Sequence, residues 1–405
     1  YTKSTGYSLG LAKNFITGTS LGLSYGNSNS ELSFGTTDID PYYENKVTLQ
    51  LSQNLWSDFF GNATRNEHWA TINQAQSEEL EAKENVEAWS IGFIGTYYQA
   101  WLKQTQLFAA KDDLARRKKL LDVTNYKANR GTAESPDLLQ IKAAWLLAQN
   151  TLLDAQAELD KEWRTLVISL GMPEDWLLID TAKIPMVLDN MLMTPKLQCQ
   201  AEGDLNQTLA VKRAKKALEA AERAAARSSS LLNPKLQLFG SYEVNGIDAE
   251  AATAQEEATA ADYPSWTVGM KFEMPIGFSA QKAEYLGAQA QLIAAQSKYT
   301  AEVDDKKIEL QTTCDVYTKS LQQLENAKQA FQAQEKRLNQ EENRFRLGRT
   351  NTFQVIQAGD DKSRAELNFN LLEVNTRLAA WNVLKSRSQL EDEVKKWAKL
   401  DGKTP

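Results

Sequence analysis

The sequence contains one histidine, His68, and two cysteines, Cys199 and Cys314. That histidine lies at the strand-to-helix junction, which argues against a histidine-based triad, and a single histidine excludes a multi-histidine metal site. Glycine-rich phosphate loops are absent too, so we expect no enzyme activity, no catalytic residue, no metal and no cofactor. The cysteines lie 115 residues apart without metal-ligand neighbours. They read as two free or buried thiols, with a long-range disulfide as the alternative. No apolar run approaches the roughly eighteen residues of a membrane-spanning helix, and mean hydropathy is −0.50. If this chain enters a membrane, it does so as a β-barrel. Acidic residues outnumber basic ones, 53 to 46, which gives no footing for nucleic acid. Proline is scarce, and none falls within 57–135 or 276–404, so nothing there breaks a helix.

What is present is one unit written twice. Each copy has an alternating strand, about seventy helical residues, a glycine turn and a helix back. The first copy runs from Val47 through Gly131 to Gly171, and the second from Val268 through Gly348 past Trp381. Gly131 and Gly348 are each followed nine residues later by a glutamine, Gln140 and Gln357. The second copy has a helix, 205–230, ahead of its strand and the first has none, so a further N-terminal part is expected before Tyr1.

Alternation with period two marks the strands. Tyr7, Leu9, Leu11, Leu21, Leu23 and Tyr25 share one face, and Ser8, Gly10, Ala12, Gly22 and Ser24 the other. One strand of that length would be about 60 Å long, so a hairpin is expected near Asn14–Gly18. Val47, Leu49 and Leu51 repeat the pattern, as do Leu236, Leu238 and Tyr242, then Trp266, Val268, Met270 and Phe272. Apolar outside and polar inside suits a transmembrane barrel with a wet lumen. Trp56, Phe59, Phe60 and Phe278 at one end, with Tyr42, Tyr43, Tyr263 and Trp266 at the other, read as aromatic girdles, core aromatics being the alternative. Residues 26–44 and 245–263 read as solvated outer loops.

Seven-residue spacing marks the helices. Val86, Phe93, Ala100, Leu107, Leu114 and Leu121 form one series, and Leu138, Trp145, Leu152, Leu159 and Leu166 its return. Val303, Leu310, Tyr317, Leu324, Phe331, Leu338 and Phe345 form the second-copy series. Such heptads keep one face on a partner over many turns. A second stripe, Ile94, Trp101 and Phe108, gives the first long helix two seams, as the wall of a tube requires. Seventy such residues span about 100 Å.

These pieces resemble the TolC family of outer-membrane efflux channels over essentially the whole chain. The resemblance rests on Leu51-Ser-Gln-Asn-Leu-Trp56, Phe272-Glu-Met-Pro-Ile276 and the turns Arg130-Gly-Thr and Arg346-Leu-Gly-Arg349. It rests also on Asp137-Leu-Leu-Gln, Gln354-Val-Ile-Gln and Leu166-Val-Ile-Ser-Leu-Gly171. It implies a mixed fold: a homotrimer in which a transmembrane β-barrel continues into a periplasmic α-barrel of long antiparallel coiled-coil hairpins. The function implied is passive transport through the exit duct of a tripartite efflux or secretion system, in the outer membrane of a Gram-negative bacterium. Implied partners are outer-membrane lipid, a periplasmic adaptor protein and an inner-membrane transporter. The rival reading of the heptads is a non-conducting envelope scaffold.

The expected organisation is barrel strands and outer loop at 1–56, a helical hairpin at 57–170 and an irregular equatorial segment at 171–204. A helix at 205–230, strands and loop at 231–276, a second hairpin at 277–390 and a tail at 391–405 follow. Met191 and Met193 in the irregular segment read as packing rather than soft-metal ligands. The family's aspartates six and nine residues after the second glycine are matched here by Gln354 and Gln357. Its first-copy aspartate is matched by Asp137, whose arginine partner is displaced by one position, to Arg349. These four, with Asp360, are the expected gate. Arg130, Gly131, Thr132, Leu347, Gly348 and Arg349 are the expected adaptor-docking turns. The family usually has two strands per repeat, whereas this chain shows at least three strand-like segments before its first long helix. Asp360-Asp361 reads as an adjacent pair on solvated helix faces.

Overall fold

The computed structural model describes residues 2–34, 37–131, 134–184, 186, 199, 205–261 and 263–400. The chain divides into two compact units, Tyr1–Leu80 with Lys212–Glu302 and Glu81–Val211 with Val303–Pro405.

The first unit holds an antiparallel sheet in the order β1 (Thr2–Asn14), β2 (Thr19–Phe34), β3 (Thr37–Asn54), β4 (Lys235–Asp248) and β5 (Pro264–Glu273). The hairpin between β1 and β2 turns on Gly18, whose φ of 73° suits a residue without Cβ. Register aligns the alternating patterns into one row, Leu11, Leu23, Leu49, Tyr242 and Trp266, each paired with the next. The opposite face carries Gly10, Ser24, Thr48, Glu243 and Ser265 in the same way. A one-residue slip would turn every apolar side chain over, so the pattern itself fixes the pairing.

Residues 26–44 and 245–263 are largely regular structure rather than loops. The β2–β3 ladder continues to Phe34 and Thr37, because small polar residues can still satisfy their backbones by pairing. Asn27 Nδ2 donates to the buried Asn45 Oδ1 (2.6 Å), which also accepts from Tyr25 Oη (2.9 Å). In the second copy, α4 (Ala251–Ala260) forms from an alanine-rich stretch that composition alone disguised as loop. Its buried Ala254 and Ala258 lie against β4 at Gly246, where a Cβ would come within 2.0 Å of the Ala254 carbonyl oxygen.

Four elements of helix complete this unit or pass through it: α4, and parts of α1 (Asn62–Asn129), α3 (Leu209–Ser230) and α5 (Ser279–Arg346). Asp58 begins α1 by accepting from Thr64 N–H (3.1 Å) and Thr64 Oγ1 (2.5 Å). Arg227 on α3 reaches Glu67 on α1 (3.4 Å) and Glu284 on α5 (3.0 Å). The aromatics at this junction are exposed, Trp56, Phe59 and Phe60 by 49–60%, so they are not core.

In the second unit α2 (Ser135–Ser169), α6 (Thr352–Ser386) and α7 (Leu390–Leu400) join the remaining parts of α1, α3 and α5. Here α1 has two seams, but the second centres on Tyr98 and Leu102 with Ile94 and Trp101 beside them, and Phe108 of the expected stripe is exposed. Ala100 packs with Trp163, Leu166 and Val167 of α2, while Tyr98 and Leu102 pack with Val374, Trp381 and Leu384 of α6. Trp381 Nε1 donates to Tyr98 Oη (3.0 Å). On α5, Leu310, Tyr317, Leu338 and Phe345 are buried and Phe331 stacks on Phe369 of α6. The described part of the irregular segment is tied to α1 through Gln104, which donates to Thr181 O (3.2 Å) and accepts from Met186 N–H (2.9 Å). Met191 and Met193 lie outside the described residues. The end of the chain expected as a tail is helical to Leu400, with Leu390 buried in the Tyr98 cluster.

Candidate functional site

Two helical reversals in the second unit carry the expected docking turns. At the second, α5 ends in a Schellman closure: Arg349 N–H donates to Arg344 O (2.8 Å) and Gly348 N–H to Phe345 O (3.1 Å). Gly348 sits at φ 71° with open space where a Cβ would stand. Gly131 repeats this at the end of α1, with φ 71° and its N–H on Ala128 O (2.9 Å). Thr132 lies outside the described residues. Asn351 then caps α6, its Oδ1 accepting from Gln354 N–H (3.0 Å), and Pro136 opens α2 in its first turn.

Lys127 brings the two reversals together. Its Nζ donates to Phe345 O (3.0 Å) and stands 4.0 Å from the Phe345 ring centroid. Arg130 lies over the Tyr126 ring at 4.2 Å, and Leu347 and Arg349 are exposed. A cleft of about 550 Å³ opens between α1, α5 and α6, lined by Leu120, Val123, Leu338, Phe345 and Val355 with charged residues at its margin.

The expected gate residues are only partly assembled within one chain. Gln354 and Gln357 are exposed on α6, Asp137 is half-buried on α2, and among the described residues no ion pair joins Asp137 to Arg349. Asp360, expected as a free carboxylate, is paired with Arg117 of α1. Arg117 Nε also reaches Asp113 Oδ2 (2.7 Å), and Arg116 reaches the other Asp113 oxygen (3.1 Å). Burial opposes the Arg117 charge, but Asp113 and Asp360 outweigh it and raise the guanidinium above its ordinary value. Asp361 turns the other way, to Arg337 of α5 (2.8 Å) and Arg364. Neither member of Asp360-Asp361 is therefore merely solvated; each serves a different helix contact.

Arg117, Asp113 and Arg337 are the residues that sequence reasoning missed. Asp113 and Arg117 at i,i+4 spacing were a visible signal, but the partner 243 positions away was not. No group of three or more potential metal ligands gathers among the described residues, and no described helix is long and apolar enough to cross a membrane.

Residues 18–172 match the model of the family described as outer membrane efflux protein. No curated protein matches the chain in sequence. Solved structures do match its fold. The CmeC outer membrane channel of Campylobacter jejuni is 15% identical, with a TM-score of 0.73 over 98% of this chain and 81% of that one. The open state of the Neisseria gonorrhoeae MtrE outer membrane channel is 14% identical, TM-score 0.71, over 96% and 81%. The outer membrane protein VceC of Vibrio cholerae is 15% identical, TM-score 0.69, over 96% and 87%. Two glycine-closed helical reversals, two-seamed helices and an alternating sheet thus occur together in a chain whose residues 18–172 match the outer membrane efflux protein model and which shares the fold of these channels over at least 96% of its length.

Proposed function

We propose that three copies of this chain form the outer-membrane exit duct of a tripartite efflux or secretion system, a passive path gated at its periplasmic tip. One observation carries the reading most: the apolar face of all five strands is uncovered in the single chain. Leu9 and Leu11 are 73% exposed, and Trp266, Val268 and Met270 are 67–76% exposed. Such a continuous apolar surface is costly in water and matched to lipid. A non-conducting scaffold has no use for it.

The helices support the trimer separately. Leu139, Leu146 and Leu153 on α2 repeat every seven residues and are 47–66% exposed, a seam left open among the described residues. Burying the exposed part of each against a neighbouring copy contributes roughly 1–2 kcal/mol. Asp137 and Arg349, unpaired with each other within the chain, would then meet across copies and help close the tip, with Gln354 and Gln357 lining it. An adaptor hairpin would dock at Arg130–Gly131 and Leu347–Arg349, its apolar side chains entering the cleft beside Phe345.

Detergent-solubilised protein should have the mass of a trimer by light scattering and conduct in planar bilayers once the tip is loosened. A monodisperse, fully helical monomer, or a trimer that never conducts, would overturn the proposal.

A further inference from the structure

The chain has only two cysteines, and the fold brings them together. Cys314 is buried on α5 in a cluster with Tyr317, Ala379, Ala380 and Val383. Cys199, from the connection between α2 and α3, packs against that same cluster, with the Cys314 thiol as its neighbour. Both sulfurs are unbonded here, Cys199 being the more accessible. Arg387, just past the end of α6, completes the group: its Nη2 donates to Cys314 Sγ at 3.7 Å. Nothing in the packing requires thiols, since a small apolar residue would fill either place.

We propose that Cys199 and Cys314 form a disulfide in the mature protein, fastening the α2–α3 connection to α5. The proposal rests on the envelope location argued above, because the periplasm favours disulfides and the cytosol does not.

A protein disulfide of the thiol-oxidase class is the oxidant. One of its sulfurs joins the more accessible Cys199 as a mixed disulfide, and its other sulfur leaves as a thiol. Cys314 then attacks the Cys199 sulfur, the remaining oxidant sulfur leaves as a second thiol, and the Cys199–Cys314 bond forms. Two protons and two electrons pass from the cysteines to the oxidant, which ends as a dithiol.

In the folded, reduced protein Cys199 is a poor partner for other thiols. Burial first, then the neighbouring thiol, push it up to about 11, against a smaller opposing effect of Arg387. The bond therefore forms while the chain is folding, when both thiols are still open.

The test is thiol counting on protein taken from fractionated cells with free thiols blocked at lysis. Outer-membrane protein should show no alkylated cysteine before reduction and two after it, with a peptide pair linking Cys199 to Cys314. Two alkylated cysteines in outer-membrane protein would overturn the disulfide and leave the duct proposal standing. Protein found in the cytosol would instead sink the envelope reading. In that case the pairing is decided by unfolding reduced protein and refolding it with oxidised glutathione: an internal bond supports it, glutathione adducts alone overturn it. Cys199→Ser should leave one alkylatable thiol without reduction, which a chance loss of labelling would not.

Discussion

Glu87 stands on α1 only 7% exposed. Burial raises its carboxyl to about 7, with Glu391 and Glu84 adding to the effect and Lys385 and Lys306 opposing it. The ordinary value is 4.5, so between those pH values the folded chain keeps a proton that the unfolded chain has lost. Its contribution is fully favourable below about 4.5 and is lost as pH rises to about 7. Glu87→Gln should flatten that slope and stabilise the protein at pH 8 by on the order of 2 kcal/mol per protomer. Thermal melts at pH 5 and pH 8 check this, and a parent no less stable at pH 8 would contradict it. Arg117 makes a second prediction. It ties Asp360 to Asp113, so Arg117→Ala should release Asp360, Asp113 keeping Arg116, and make divalent cations a stronger block of conductance. Unchanged block would place Asp360 away from the conducting path. Residues were the least legible scale in the sequence. Asp360 could be placed on a helix face, yet whether it met water or Arg117 depended on the rotation of α1 against α6, which heptads fix only to within a seam.

At the level of elements, α5 and α6 are joined by a reversal whose strain is concentrated at Gly348. A Cβ there meets no neighbour within 4 Å, so the main cost of a side chain is the left-handed backbone, about 1–2 kcal/mol. Gly348→Val should therefore leave the trimer and its membrane insertion intact while distorting the docking turn and abolishing export. Export at parental level, with assembly unchanged, would dissociate the turn from adaptor contact. Elements were the most legible scale. Strand faces followed from alternation, the Asn14–Gly18 hairpin from the length limit on a single strand, and both helical hairpins from heptads that no proline interrupts. What escaped were β2 beyond Gly26, the start of β3 and α4. There Ser, Asn and Asp composition mimicked loop, while register with neighbours already formed carried the strands onward. Helix α4 escaped for the opposite reason: its alanines are strong helix formers, but its acidic flanks and short length resembled solvated chain.

For the whole molecule, direction matters as much as number. Edges β1 and β5 lie four antiparallel steps apart, so they point the same way. In the proposed trimer a threefold rotation about the barrel axis would preserve strand sense, so β5 of one copy would meet β1 of the next in parallel. The closed wall would contain fifteen strands and three parallel seams among otherwise antiparallel neighbours. Parallel pairing has slanted hydrogen bonds and is slightly weaker per residue, which makes the seams between copies the softest lines in the wall. Were β1 to leave the wall, β2 would face β5 with the opposite sense and every seam would become antiparallel. Cysteine scanning in a Cys199→Ser, Cys314→Ser background distinguishes the two. Moving one cysteine from Trp266 towards Phe272 should move its best cross-linking partner along the neighbour's β1 in the same chain direction, from Leu11 towards Asn14. Partners that instead run backwards along β2 would mean that β1 has been shed. With β1 retained, the proposed barrel would be a polar wall in the literal sense: chain direction would alternate within each protomer and repeat itself only where protomers meet, so three of its fifteen junctions would record where one molecule ends.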